Sequence, residues 1–238
     1  MGRIFDPSFM LQSTPEILTA LPVTLFLAFI AGSIGFIIAF GVALVRYFNV
    51  RFLSGLCKVY VSYIRGTPAL VQIMLVYFGI PLILRGLNEY LGTTFNVNGV
   101  PRMVFAIVAL SFNAGAYMSE TLRSALLAVD AGQLEAAYSV NMNVRQAMIR
   151  IVAPQAFGIA LPPLANTLVS LIKETSLVFT ISIIDLMARA RIVGARGYRF
   201  FEIYVVVSVI YWVLCTLVGR LLGMAEKRAR KYERSIAL

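Results

Sequence analysis

The chain has 238 residues, of which 60% are hydrophobic and 13% are charged, whereas an ordinary soluble domain carries about 25% charged residues, so this composition excludes the water-soluble globular class. Two cysteines and no histidine give no support to a zinc site, a disulfide framework or histidine-based acid–base catalysis. The formal net charge of +10 is explained by cationic residues that lie beside apolar helices, next to the anionic headgroups of the membrane. Nucleic acid is therefore not an expected partner.

Five apolar segments are predicted to cross the membrane, since a spanning helix needs roughly 20 mostly apolar residues and at least about 17. The first follows residues 1–20 and is too long, with too little of a basic leader or cleavage site, for a removable signal peptide. In chain order the predicted spans cover residues 21–45, 59–84, 103–122, 155–172 and 200–222. The predicted fold class is therefore an all-α, polytopic membrane helical bundle.

Three local features shape the predicted bundle. Small residues four apart in the first span allow a neighbouring helix to approach its backbone closely. The sequence Arg-Gly-Thr-Pro at positions 65–68 interrupts the second span, because proline disfavours the helical conformation of the residue before it. Pro162 and Pro163 are predicted to kink the fourth span. The apolar run at residues 177–187 is too short to cross the membrane and is predicted to pack inside the bundle.

Lysine and arginine predict the orientation, because cytoplasmic connections carry the excess of these residues. If the N terminus is outside, the connections after the first, third and fifth spans lie in the cytoplasm and hold most of these residues. The arginines just before the fifth span count against this orientation. The predicted domains are an extracytoplasmic segment at residues 1–20, a transmembrane domain at residues 21–223 and a basic cytoplasmic tail at residues 224–238.

The longest polar connection on the predicted cytoplasmic side covers residues 123–153. Two short helices joined by a turn are expected there, because Asn141 can adopt the left-handed conformation that such a turn requires. Ala136 and Ala137 would give the first helix a narrow surface that fits a groove of another protein. The alternative is an ordinary amphipathic helix at the membrane surface.

This connection, at residues 132–154, resembles the EAA loop of ABC importer permeases, the element that docks into the ATPase subunit. The matching positions are Gly132, Gln133, Glu135, Ala136, Ala137, Asn141 and Pro154. Two positions depart from the family pattern, with Asn141 in place of the usual glycine and Ala153 in place of the leucine before the proline. Asparagine is the next best left-handed residue after glycine, so the turn remains plausible.

Other motifs narrow the resemblance. The sequences Arg-Gly-Thr-Pro at 65–68, Ala-Tyr at 116–117 and Lys-Glu-Thr-Ser at 173–176, together with Glu120 and Arg123, are similar to those of permeases for polar amino acids, of the histidine, glutamine, arginine or cystine type. The resemblance implies a fold like that of a type I ABC importer permease. It also implies a bacterial cytoplasmic (inner) membrane location, with the C terminus in the cytoplasm.

The same resemblance implies the partners. They are cytoplasmic ABC ATPase subunits, a second permease copy or a paralogue, and an extracytoplasmic amino-acid-binding protein, in addition to the lipid bilayer. No Gly-Lys pair occurs in the chain, so it has no phosphate-binding Walker A loop. The expected role is therefore a transport subunit without catalytic residues, metal ligands or its own cofactor, in which ATP and Mg are bound by the partner subunit.

Charged residues in or beside the spans are candidate functional groups, because an unpaired charge at the centre of a membrane helix costs about 2.5–3.5 kcal/mol. The candidates for a transport path, a gate or substrate contact are Lys173, Glu174, Thr175 and Asp185. An interhelical ion pair that fixes the bundle is the alternative role for the charged ones. Glu120 and Arg123 are expected to pair locally.

Two other classes of protein remain as alternatives. An ion-coupled secondary amino-acid transporter would bind a coupling ion at Lys173, Glu174 or Asp185, but no inverted repeat is evident. A membrane enzyme would need a nucleophile motif or a metal cluster, and neither is visible in the sequence.

Overall fold

The computed structural model describes the backbone of residues 5–236 and the side chains of residues 5–228. This part of the chain is helical almost throughout and contains no strand. Its α-helices are α1 (Pro7–Leu18), α2 (Leu21–Tyr47), α3 (Leu53–Gly66), α4 (Ala69–Leu91), α5 (Arg102–Leu127), α6 (Ala131–Ser139), α7 (Val144–Ala147), α8 (Ala153–Glu174), α9 (Leu186–Gly197) and α10 (Phe200–Ile236). A π-helical turn covers Met148–Val152, and 3-10 turns cover Val97–Gly99 and Thr175–Ile181. The predicted all-α class is confirmed.

Five helical stretches of the described residues are long and apolar enough to cross a membrane, as predicted. They are α2, α4, α5, the stretch Val144–Ile181 that contains α8, and Phe200–Arg228 of α10. The second crossing differs from the prediction, which placed it at residues 59–84. Thr67 has extended backbone dihedral angles and Pro68 lies just before α4, so the chain breaks there and α4 alone forms the crossing.

Helices α2 and α5 form the centre of the bundle and pack against each other at small residues. A methyl group on Gly35 of α2 would lie 3.0 Å from the Ala114 Cβ atom and 3.0 Å from the Ser111 carbonyl oxygen of α5. The small residues of α2 that are buried are Ala28, Ala31, Gly32, Gly35, Ala39 and Ala43. The close approach predicted from their spacing is therefore present.

The apolar run at residues 177–187 packs inside the bundle, as predicted. Val178, Ile181 and Ile183 of this run are buried in the main apolar core. Pro162 and Pro163 lie inside α8, and the helix continues through them without interruption. The Arg-Gly-Thr-Pro sequence, in contrast, ends α3 before α4 begins.

Helix α1 packs on α9 and α10 at one end of the bundle. Glu16 of α1 accepts a hydrogen bond from Arg196 at 2.9 Å and lies 4.0 Å from Arg189. Asp6, before α1, lies 3.8 Å from Arg199. Three of the arginines that counted against the predicted orientation, Arg189, Arg196 and Arg199, therefore have acidic partners. Their ion pairs help to hold α1 against this end of the bundle.

Candidate functional site

The connection between α5 and α8 folds as a helical hairpin, formed by α6, a turn and α7. Asp130 begins α6 by accepting a hydrogen bond from the Gly132 backbone N–H at 2.6 Å. Asn141 has a φ of 58°, which confirms the left-handed turn predicted from its side chain. Asn143 and Gln146 then form a reciprocal capping box at the start of α7. Local hydrogen bonds therefore determine the shape of this hairpin.

Most of the residues predicted to contact an ATPase lie on the outside of the hairpin. The exposed ones are Gly132, Gln133, Glu135, Ala136, Asn141 and Pro154. Ala137 differs from the prediction, because it is only 1% exposed and lies in α6, which packs on α7 and on the π-helical turn. Ala137 therefore holds the hairpin together, and the alanine available to a partner is Ala136.

The hairpin is continuous with a crossing helix. Pro154 has no N–H to donate back into the helix, and the backbone just before it widens into the π-helical turn, where the Ala153 N–H donates to the Met148 carbonyl. The Gln155 side chain donates to the Ile151 carbonyl at 3.0 Å. The helical stretch Val144–Ile181 thus joins the hairpin to the far end of α8.

Two cavities with both polar and apolar lining residues lie between α5 and α8. One has a volume of about 300 Å³, and its polar lining residues are Asn113, Tyr117, Asn166, Thr167, Ser170 and Glu174. The other has a volume of about 460 Å³ and includes Arg65, Tyr117, Glu120, Thr121, Ser124 and Thr167. Because both are bordered by Tyr117 and Thr167, the two cavities adjoin and form one line along α5 and α8. We call this line the α5–α8 path.

Of the four predicted path residues, Glu174 lines the smaller cavity of the α5–α8 path, and the other three line neither cavity. Lys173 is exposed and faces elsewhere, because adjacent side chains of a helix diverge by about 100°. Thr175 is fully buried and donates its hydroxyl to the Ile172 carbonyl at 2.7 Å. Lys173 and Thr175 therefore line neither of these two cavities, and their role in a transport path or gate stays a prediction.

Asp185 is buried and caps the N-terminal end of α9. It is fully buried, accepts a hydrogen bond from the Ala188 backbone N–H at 2.9 Å at the start of α9 and another from the Tyr211 hydroxyl at 3.3 Å. It lines neither cavity of the α5–α8 path. Burial raises the pKa of this carboxyl to about 6 although these hydrogen bonds lower it. The geometry is that of a helix cap.

A buried amide pair connects the α5–α8 path to the break between α3 and α4. The Gln72 amide donates to the Ile64 carbonyl at 2.8 Å and the Thr67 carbonyl at 3.0 Å. The Asn113 amide, which lines the smaller cavity, donates to Gln72 Oε1 at 2.8 Å. Sequence reasoning missed both residues because it searched for charges. The nearby Arg-Gly-Thr-Pro break was the available signal, because a helix that ends there leaves carbonyls that need a donor such as the Gln72 amide.

Glu120 sits at the other end of the α5–α8 path and pairs with two arginines. The predicted pair with Arg123 is present, with a distance of 3.1 Å from Arg123 Nε to Glu120 Oε1. Arg46 of α2 also donates to Glu120, which sequence spacing could not predict. The Arg65 guanidinium lies 5.8 Å from the centre of the Tyr117 ring, within the range of a cation–π contact.

Comparison with known proteins identifies the family. Residues 33–231 match the model of the binding-protein-dependent transport system inner membrane component. The chain belongs to this family. The "Probable amino-acid permease protein YxeN" of Bacillus subtilis (strain 168) is 36% identical over 226 residues, which are 95% of this chain and 96% of that protein. The "Probable amino-acid ABC transporter permease protein PatM" of Vibrio harveyi is 36% identical over 227 residues, or 95% and 97% of the two chains.

Solved structures of this transport family have the same fold. A chain in the "Crystal structure of an amino acid ABC transporter with histidines" superposes with a TM-score of 0.80 at 33% identity, covering 94% of this chain and 99% of the other. A chain of the MetNI methionine ABC transporter gives a TM-score of 0.71 at 18% identity, covering 90% and 96% of the two chains, which supports the fold alone. The protein is a multi-pass permease subunit with the type I ABC importer fold. The matches give no support to an ion-coupled transporter.

Proposed function

We propose that this permease carries a polar amino acid along the α5–α8 path, driven by ATPase subunits that bind the α6–α7 hairpin. The observation that carries the proposal is the helical continuity of Val144–Ile181, which includes α7 at one end and Glu174 near the other. At about 1.5 Å per residue, α8 alone is about 33 Å long. A displacement of the hairpin would therefore move one wall of the α5–α8 path.

The lining of the α5–α8 path suits an amino-acid zwitterion. Glu174 offers a carboxylate to an ammonium group, and Asn113 and Asn166 offer amides that can donate to a carboxylate or bind a polar side chain. Thr167 and Ser170 add hydroxyl groups. The names of relatives such as YxeN and PatM, which are described as amino-acid permeases, support the same class of substrate.

The proposed assembly contains a second permease copy or a paralogue, cytoplasmic ABC ATPase subunits and an extracytoplasmic amino-acid-binding protein. The family description names a binding protein, and the exposed face of α6 around Glu135 is the proposed ATPase contact. ATP and Mg bind the ATPase partner, whose hydrolysis of ATP supplies the free energy of transport. The N terminus lies outside and the hairpin inside, as the distribution of Lys and Arg favours.

The proposed ATPase contact is tested by co-purification. The chain is purified with candidate cytoplasmic ABC ATPases from its source, and the experiment is repeated with Glu135→Lys and with Glu89→Lys, which changes an exposed acidic residue of α4. We expect Glu135→Lys alone to release the ATPase and to abolish ATP-driven uptake in proteoliposomes. Retention of the ATPase by Glu135→Lys, or uptake driven by an ion gradient without ATP, would contradict the proposal.

A further inference from the structure

A third polar cavity lies on the other side of α5, between α2, α3 and α5. Its volume is about 550 Å³, and its polar lining residues are Arg46, Lys58, Ser62, Arg65, Tyr117 and Glu120. Arg65, Tyr117 and Glu120 also border the larger cavity of the α5–α8 path, so these side chains separate the two spaces. We call this third space the basic cavity.

Positive charge exceeds negative charge in the basic cavity. Its single carboxylate, Glu120, is already shared by Arg46 and Arg123. Lys58 and Arg65 have no ion-pair partner among the described residues. The Arg46 side chain is only 12% exposed, and its Nε atom is buried without a hydrogen-bond acceptor. Lys58 and Arg65 are exposed, and their uncompensated positive charge makes the cavity suited to an additional anion.

The basic cavity lies at the level of the membrane surface. Arg46 is in the last turn of α2, at the end of the first crossing. Helix α3, with 14 residues, is too short to cross the hydrocarbon. The cavity therefore lies near the end of the first crossing, on the side of the membrane that also contains the α6–α7 hairpin.

Helix α3 has an exposed apolar face as well as a basic one. Leu56, Val59 and Tyr63 are 53%, 69% and 50% exposed and lie three and four positions apart. Lys58 and Arg65 lie about 140° around the helix from this face, on nearly the opposite side. Exposed apolar side chains opposite basic ones on a short helix are typical of a helix at the membrane surface, with acyl chains on one face and headgroups on the other.

We propose that the basic cavity binds the phosphate of an anionic phospholipid, whose acyl chains lie along Leu56, Val59 and Tyr63. Basic pockets between membrane helices on the cytoplasmic side bind such headgroups. Lys58 and Arg65 contact the phosphate oxygens, and the side chain of Ser62 lies between them on the same face of α3. Glu120 keeps Arg46 in position through their ion pair. The site lies apart from the ATPase contact at the α6–α7 hairpin, but it shares Arg65, Tyr117 and Glu120 with the larger cavity of the α5–α8 path.

Thermal unfolding of the full chain in detergent tests the site. Phosphatidylglycerol, phosphatidylcholine and inorganic phosphate are titrated separately against the wild type, Lys58→Gln, Arg65→Gln and Lys58→Arg. We expect phosphatidylglycerol alone to raise the unfolding temperature. Each Gln variant should bind it about fivefold more weakly, since a basic residue near an anionic surface contributes about 1 kcal/mol, and Lys58→Arg should bind as the wild type does. Arg51→Gln, an exposed residue outside the cavity lining, is the matched control and should change nothing.

Native mass spectrometry of the chain purified from membranes supplies a second readout that does not depend on stability. We expect bound phosphatidylglycerol on the wild type and its loss from the Lys58→Gln, Arg65→Gln double variant. An equal phosphatidylglycerol response in that double variant and the wild type would overturn the site. A response to inorganic phosphate in place of phosphatidylglycerol would overturn the lipid assignment, and so would a crosslink between two copies at Val59→Cys with no lipid response.

Discussion

The α6–α7 hairpin and the α5–α8 path are held in shape by different kinds of interaction. The hairpin depends on its own caps, at Asp130 and at Asn143 with Gln146, and on a narrow buried face that includes Ala137. The path depends on side chains brought together from several helices, such as Gln72 of α4 and Asn113 of α5. Substitutions on the outer face of the hairpin should therefore affect partner binding with little loss of stability, whereas loss of the contact between Gln72 and Asn113 should destabilise the packing of the bundle.

The largest effect on stability is expected from Gln72→Leu, which would show whether the α5–α8 path depends on the amide pair. This change removes the donor to the Ile64 and Thr67 carbonyls and leaves Asn113 without its acceptor. An unsatisfied buried polar group costs about 1–3 kcal/mol, so the unfolding temperature of the purified chain should fall. Gln133→Leu, on the exposed face of α6, is the control and should leave that temperature unchanged. Equal effects of the two changes would contradict the distinction between the regions.

The two regions also differ in how far the sequence alone could predict them. The hairpin could be predicted because its features are local in the chain, namely the left-handed Asn141, the alanines and the proline. The α5–α8 path could not, because it depends on which faces of α5 and α8 meet. Glu174 reaches the path and Lys173 does not, although they are neighbours and both carry a charge. Asn113 and Gln72 are neutral, and only the folded contacts reveal their role.

Glu174→Gln should reduce transport with little change in stability, which would sharpen the assignment of the α5–α8 path. The change keeps the size of the side chain and removes the charge that faces the substrate ammonium group. Loss of one charge-assisted hydrogen bond of about 1.4 kcal/mol corresponds to a tenfold weaker interaction. Uptake of labelled amino acids into proteoliposomes that contain the whole transporter is the measurement. Lys173→Gln is the matched control, and an equal loss of uptake in that variant would place the path elsewhere.

Asn141→Ala should loosen the hairpin without disturbing the helices of the membrane. Alanine at a φ of 58° has the same Cβ as asparagine but lacks the short polar side chain that can hydrogen-bond locally and so stabilise the left-handed conformation. We expect faster proteolysis within residues 131–147 and weaker ATPase binding, while the unfolding temperature of the whole chain stays close to that of the wild type. Asn141→Gly accepts the same backbone conformation and should keep the hairpin resistant to proteolysis. Increased cleavage in the glycine variant as well would show that the Asn141 side chain, not its backbone conformation, stabilises the turn.

Asp185→Asn should change mainly the pH dependence of stability. Burial raises the pKa of Asp185 from 3.8 to about 6, so the folded state favours the protonated carboxyl. The contribution of this group to stability is therefore complete below pH 3.8 and is lost as the pH rises through about 6. Asparagine still caps α9 but carries no charge, so the unfolding temperature of the variant should fall less over this range. Asp130→Asn changes an exposed cap of α6 and should retain the wild-type pH profile. If Asp185→Asn follows the wild-type profile too, the carboxyl is ionised in the folded protein at low pH, and the fully buried site must contain a compensating positive charge.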